Sequence, residues 1–128
     1  MNEETKNKEP KNEEARKITS ADYKSGTLKL SSPILARDKE IRELRYDFAK
    51  LTGRDYVEAM DSDRNSKDIF KVSATQAFTL FAISAGKETE DVDAVDIQKQ
   101  LSMTDTARAV QTATLFLIMS VREANAIT

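Results

Sequence analysis

Histidine, cysteine and tryptophan are all absent from this chain. Without His and Cys, the commonest general base and the strongest neutral-pH nucleophile are missing. Serines are present, but no His can complete a triad and nothing singles out a Ser–Lys pair. The lack of Cys rules out a disulfide framework and thiolate metal sites, and it fits a reducing compartment. Gly26, Gly53 and Gly86 are the only glycines. They lie too far apart to form a loop that cradles phosphate. The longest apolar run, Leu115 to Met119, is well short of the roughly 18 residues of a membrane helix. The opening Met1-Asn2-Glu3-Glu4-Thr5 lacks the apolar stretch of a secretory signal. Neither sign of charge dominates: the net charge is −2. With no basic excess, neither nucleic acid nor an anionic membrane is an expected partner. The expectation is a small cytoplasmic binding protein rather than an enzyme, with no cofactor and no metal.

What remains is 128 residues, enough for one domain. Residues 1–24 hold, after Met1, only Ile18 and Tyr23 as large apolar side chains. Their acids and bases balance, and burial there cannot offset the entropy of ordering. A disordered, charged tail is therefore expected over 1–25, and a single domain over 26–128. Leu28 and Leu30 alternate with Thr27 and Lys29, Pro33 interrupts, and Ile34-Leu35 resumes. Leu44, Tyr46 and Phe48 alternate with Arg45 and Asp47. Period-2 patterning predicts antiparallel strands over 27–35 and 41–48, with Pro33 at an edge or bulge. An isolated hairpin is marginal in water, so its apolar face must pack on helices.

Thr52 and Asp55 have capping-box spacing and predict a short helix over 54–61. Asp68 can cap a long helix over 69–85, stopped by Gly86. That helix is apolar nearly all round from Ala77 onward, which is usual for a central or partner-covered helix. Val92, Val95, Ile97 and Leu101 predict a short helix over 93–101. Ser102 with Asp105 offers a second capping box, opening a last helix over 103–123. Its apolar stripe is Met103, Ala107, Val110, Ala113, Leu117 and Val121, widened by Leu115, Phe116, Ile118 and Met119. The fold class is α+β, mainly α: a hairpin packed on three to four helices.

Two constellations bear on function. Asp61-x-Asp63-x-Asn65 begins like a calcium loop, but Ser66 stands where that loop needs Gly and Val72 where it needs Glu. A polar turn is the better reading. The acidic stretch Glu88, Glu90, Asp91, Asp93 and Asp96 reads as a solvated loop, since raising a carboxylate pKa for acid–base work requires burial. The stronger signal is apolar surplus. Phe78, Phe81, Leu115, Phe116 and Met119 exceed what two amphipathic helices need for one seam. Either they pack on each other and on the hairpin, or some of them contact another protein or a second copy.

The order of elements, with Ser32-Pro33-Ile34 in the first strand, Glu43-Leu44-Arg45 in the second and Thr52-Gly53-Arg54-Asp55 after it, resembles the tail assembly chaperone family of long-tailed bacteriophages, contractile-tailed ones and prophages included. Phe78 to Gly86 resembles that family's helix end, and Val92 to Asp96 the segment that follows. The likeness covers about residues 26–120. Ala49-Lys50-Leu51 stands where the family carries a proline. The resemblance implies a protein absent from the mature virion. Such a protein binds the tape measure protein and helps the tail tube protein polymerise around it; a homo-oligomer is the other partner expectation, from the apolar surplus. Thr52, Gly53, Arg54 and Asp55 would then form a structural turn and helix cap. Two other classes are the alternatives: a small phage or host regulatory DNA-binding protein, against which the last helix carries only Arg108 and Arg122, and a virion structural tail protein, which needs more strand than two short runs.

Overall fold

A two-residue turn starts the hairpin. Arg37 and Asp38 both adopt positive φ, 50° and 64°, the geometry that matches the twist of two tightly joined strands. Around it, β1 (Ser25–Ala36) pairs antiparallel with β2 (Lys39–Asp47). A computed structural model describes residues 21–63 and 71–127 of the chain. Residues 1–20 of the expected tail, and the Asp68 cap with Ile69 and Phe70, lie outside the described residues.

After the hairpin come four helices: α1 (Gly53–Asp61), α2 (Ala74–Glu88), α3 (Ala94–Gln100) and α4 (Met103–Ile127). The fold is α+β and mainly α, as the patterning predicts. Three of the helices begin with complete capping boxes, Thr52 with Asp55, Ser73 with Gln76 and Asp93 with Asp96. Gln76 also donates to the Met60 carbonyl (2.9 Å), tying the end of α1 to the start of α2. No helix among the described residues is long and apolar enough to cross a membrane.

Several boundaries differ from the sequence reading for identifiable reasons. The ordered chain begins before residue 26. Ala21–Lys24 forms a 3₁₀ turn in which Tyr23 is buried, its ring 6.3 Å from Phe116 and its hydroxyl bonded to Glu123. The Ser73 cap starts α2 at Ala74, not 69. Gly86 does not stop α2, which runs on to Glu88 without a positive φ at the glycine. Gly86 is needed for closeness instead: a Cβ there would lie 2.9 Å from the Ala94 backbone nitrogen. On α4 the core face is Asp105, Ala109, Ala113 and Leu117, spaced i to i+4. Met103, Ala107 and Val121, assigned to that stripe by pattern, are exposed. A strict i+4 ladder drifts around the helix relative to a mixed 3/4 stripe, and the hairpin selects the ladder.

The core is organised by α2, which packs on β2, α1, α3 and α4. Leu80, Phe81, Ala82, Ile83, Ser84 and Ala85 are all buried there. Ser84 is satisfied by accepting the Asp47 N–H (2.9 Å). A two-stranded sheet has two open edges, each able to recruit another strand. Here helix-borne side chains occupy parts of both. Gln100 accepts the Leu35 N–H (2.8 Å) and donates to the Leu35 carbonyl (2.6 Å). Thr89 does the same for Arg45, at 2.8 and 3.2 Å.

The strongest tie lies at the hairpin's irregularity. The register jumps from Lys29↔Glu43 to Ile34↔Ile41, so Leu30 to Pro33 stand opposite Arg42 alone. Backbone N–H groups released from the ladder need partners. Asp105, wholly buried in the first turn of α4, supplies them. Its carboxylate accepts from Ser31 N–H at 3.0 and 2.9 Å, from Ser32 N–H at 3.3 Å and from the Ser102 hydroxyl at 3.0 Å. The Ser102 hydroxyl in turn accepts the Asp105 N–H at 3.2 Å. The second capping box thus turns its carboxylate towards β1. Arg108 adds a bond to the Lys29 carbonyl (2.7 Å).

Burial alone would push the Asp105 carboxyl up, but the donors from Ser31, Ser102 and Ser32 outweigh it and hold the group below its ordinary value. Its folded pKa is therefore lower than its unfolded one. The stability it contributes is present above about pH 4 and fades as pH falls through the lowered folded value. Asp105→Asn should cost about 2 kcal/mol in urea melts at pH 7, and the gap to wild type should shrink at acidic pH. A pH-independent difference would contradict this assignment.

Candidate partner-binding groove

Helices α1 and α4 each pack on α2 but hardly on each other. Their separation leaves an open apolar groove of about 700 Å³. Phe48, Leu51 and Leu80 line it beside Thr52, Gly53 and Tyr56 from the start of α1. Phe116, Leu117, Ile118 and Val121 line the side formed by α4. Val72, just before α2, also lines it. Helix lengths explain the gap. At 1.5 Å per residue, α4 is about 37 Å long and α2 about 22 Å. The C-terminal half of α4 therefore outruns the core that buries Ala109 and Ala113. Tyr56, Ile118 and Val121 stay 49, 48 and 60% exposed around the groove.

The sequence-selected residues separate into distinct places. Phe81 is fully buried, 5.3 Å from Tyr46 and 6.4 Å from Phe48 by ring centroids. It belongs to the core, which corrects its place among the partner-binding candidates: the near-continuous apolar surface of α2 is consumed by the elements around it. Phe78 is half-buried against the same core and does not line the groove. Phe116 does line it, stacked 4.7 Å from Phe48. Leu115, the next residue round the helix, faces a separate cleft of about 460 Å³ beside Gly26, Thr27 and Tyr46. Met119 is half-buried and lines neither. The structure thus brings only Phe116 of the five to the groove.

The motif residues do better. Thr52 and Gly53 sit on the groove wall, and a Cβ at Gly53 would meet nothing within 4 Å. Asp55 faces away, its carboxylate 2.6 Å from the Lys87 ammonium. Lys87, then the Thr52 N–H, hold that carboxyl below its usual value. Arg54 is exposed. Tyr56, Ile118 and Val121 were not selected from sequence. The signal for Ile118 and Val121 was the excess width of the α4 stripe, and for Tyr56 the apolar side of α1, but pattern alone cannot say which edge of a stripe stays bare.

Among the described residues, no three His, Cys, Asp or Glu side chains gather to hold a metal. Asp61 closes α1, and the Asn65 of the calcium-like pattern lies outside the described residues. Of the two arginines on the last helix, Arg108 is tied to Lys29 and Asp105, which leaves Arg122 as its exposed, uncommitted cation.

Ile118 and Val121 should be dispensable for folding. Their joint replacement by Ser is expected to change stability by less than about 1 kcal/mol while lowering binding of an apolar fluorescent dye. Phe116→Ala, which removes the Phe48 stack, should cost about 2 kcal/mol. Equal destabilisation by both changes would show that the groove wall is part of the core. No protein-family model, curated protein or solved structure matches the chain.

Proposed function

We propose that this chain is a phage tail assembly chaperone, acting in the cytoplasm of the bacterial host and absent from the finished virion. In this reading it holds helical segments of the tape measure protein in solution while the tail tube protein polymerises around them. The groove between α1 and α4 carries the proposal, because it is an apolar surface that the described residues leave open. Monomeric proteins rarely leave such a surface without a use. The motif residues add support: Ser32 and Pro33 lie in the bulge, where the Ser32 N–H bonds Asp105 of α4, and Thr52 and Gly53 shape the groove wall. The residue inventory agrees, since no His or Cys is present to do chemistry.

Mechanistically, a tape measure protein is expected to expose long apolar helical faces before the tube encloses it. Covering those faces removes apolar surface from water, at about 25 cal/mol per Å². The charged surface of the chaperone then keeps the complex dispersed. Release follows when tube subunits compete for the same helical faces.

Co-expression with a tape measure protein from the genome that encodes this chain tests the reading. A soluble complex is expected on affinity capture, with insoluble tape measure protein when the chain is omitted. Val121→Arg should fold normally and fail to keep the client soluble. A client that stays insoluble beside the wild-type chain would sink the proposal.

A further inference from the structure

The groove also restricts the chemistry of its occupant. Its longest wall is α4, whose backbone N–H and C=O groups from Phe116 to Val121 are already bonded within the helix. They offer no ladder to a visiting strand. An extended peptide laid on Phe116, Ile118 and Val121 would bury its own backbone polar groups without partners, at a cost of about 1–3 kcal/mol for each. A helix carries its backbone bonds internally and avoids that cost. The stretch of α4 from Phe116 to Ala124 spans about 12 Å. Apolar anchors at i, i+3 or i+4, and i+7 of a visiting helix cover about the same length.

Charge sets a further condition. Arg122 is the one charged side chain among the described groove-lining residues. It is exposed and makes no ion pair among the described residues. The acidic groups nearest in sequence on either side of the groove are engaged elsewhere: Glu123 with Lys24 and Tyr23, and Asp55 with Lys87. An unopposed cation at an apolar groove favours a partner that brings an acid to it.

We infer that the groove takes an amphipathic helix of about two turns, with aliphatic anchors on one face and an Asp or Glu placed to meet Arg122. The inference rests on the groove being the client site, and it names the client segment by chemistry: an acidic-flanked aliphatic helix.

Two synthetic helical peptides test it. Both carry Leu at i, i+3, i+4 and i+7; one has Glu beside the anchors and the other Lys. Binding to the full chain is followed by NMR and by titration at low salt. The expected result is that the Glu peptide shifts Tyr56, Ile118 and Val121 and binds roughly fivefold or more tighter than the Lys peptide. Arg122→Glu should reverse that order, and because Arg122 is exposed its fold should be unchanged by circular dichroism. Equal binding of both peptides, or indifference to Arg122→Glu, would overturn the charge rule. Failure of the Glu peptide to bind, or sedimentation showing the groove closed by a second copy, would overturn the inference as a whole. Peptide binding without rescue of the tape measure protein would uphold the groove chemistry and refute the chaperone role.

Discussion

A buried carboxylate holding two strand amides is the contact on which the architecture turns. The bulge from Leu30 to Pro33 lets β1 change register, and it frees backbone donors that the ladder no longer uses. Asp105 collects those donors at the first turn of α4 and is itself capped by Ser102. Arg108, one turn on, grips the Lys29 carbonyl. The start of the longest helix is thereby fixed to the hairpin. With α4 held there, Ala109, Ala113 and Leu117 meet the core, while Ile118, Val121 and Arg122 beyond them stay exposed.

The same geometry produces the groove. Phe48 sits where the hairpin ends and touches Tyr46, Phe81 and Phe116 at ring distances of 5.1, 6.4 and 4.7 Å. This aromatic cluster closes the core at the level of Phe116. Above it α1 stands on α2, held by its own cap, by Lys87 on Asp55 and by Gln76 on the Met60 carbonyl. The two helices are fixed separately, α1 on α2 and the far half of α4 on Phe48 and, through Glu123, on Tyr23 and Lys24. The bare apolar surface between them follows from how the helices are fixed at their ends.

Much of the architecture is legible in the residues. Alternation at Leu28 and Leu30, and again at Leu44 and Tyr46, gives the hairpin because a half-buried strand has no other pattern. Thr52 and Asp55 give the start of α1 because the capping box is a local interaction that needs no tertiary context. What could not be read is what depends on distant partners. Gly86 looks like a helix stop until the Ala94 backbone is placed against it. Asp105 looks like an ordinary cap until the bulge supplies Ser31 and Ser32. Phe81 and Phe116 are alike as sequence signals, yet only Phe116 reaches the groove.

The central claim is that the exposed face of α4 near Val121 meets a client helix. A photoreactive amino acid placed at Val121, in cells also making the tape measure protein, tests it directly. A matched probe at Leu35, exposed at the hairpin edge, serves as the control. The account predicts a cross-linked adduct with the tape measure protein from the Val121 probe and none from the Leu35 probe. An adduct only between two copies of this chain, or none at Val121, would contradict it.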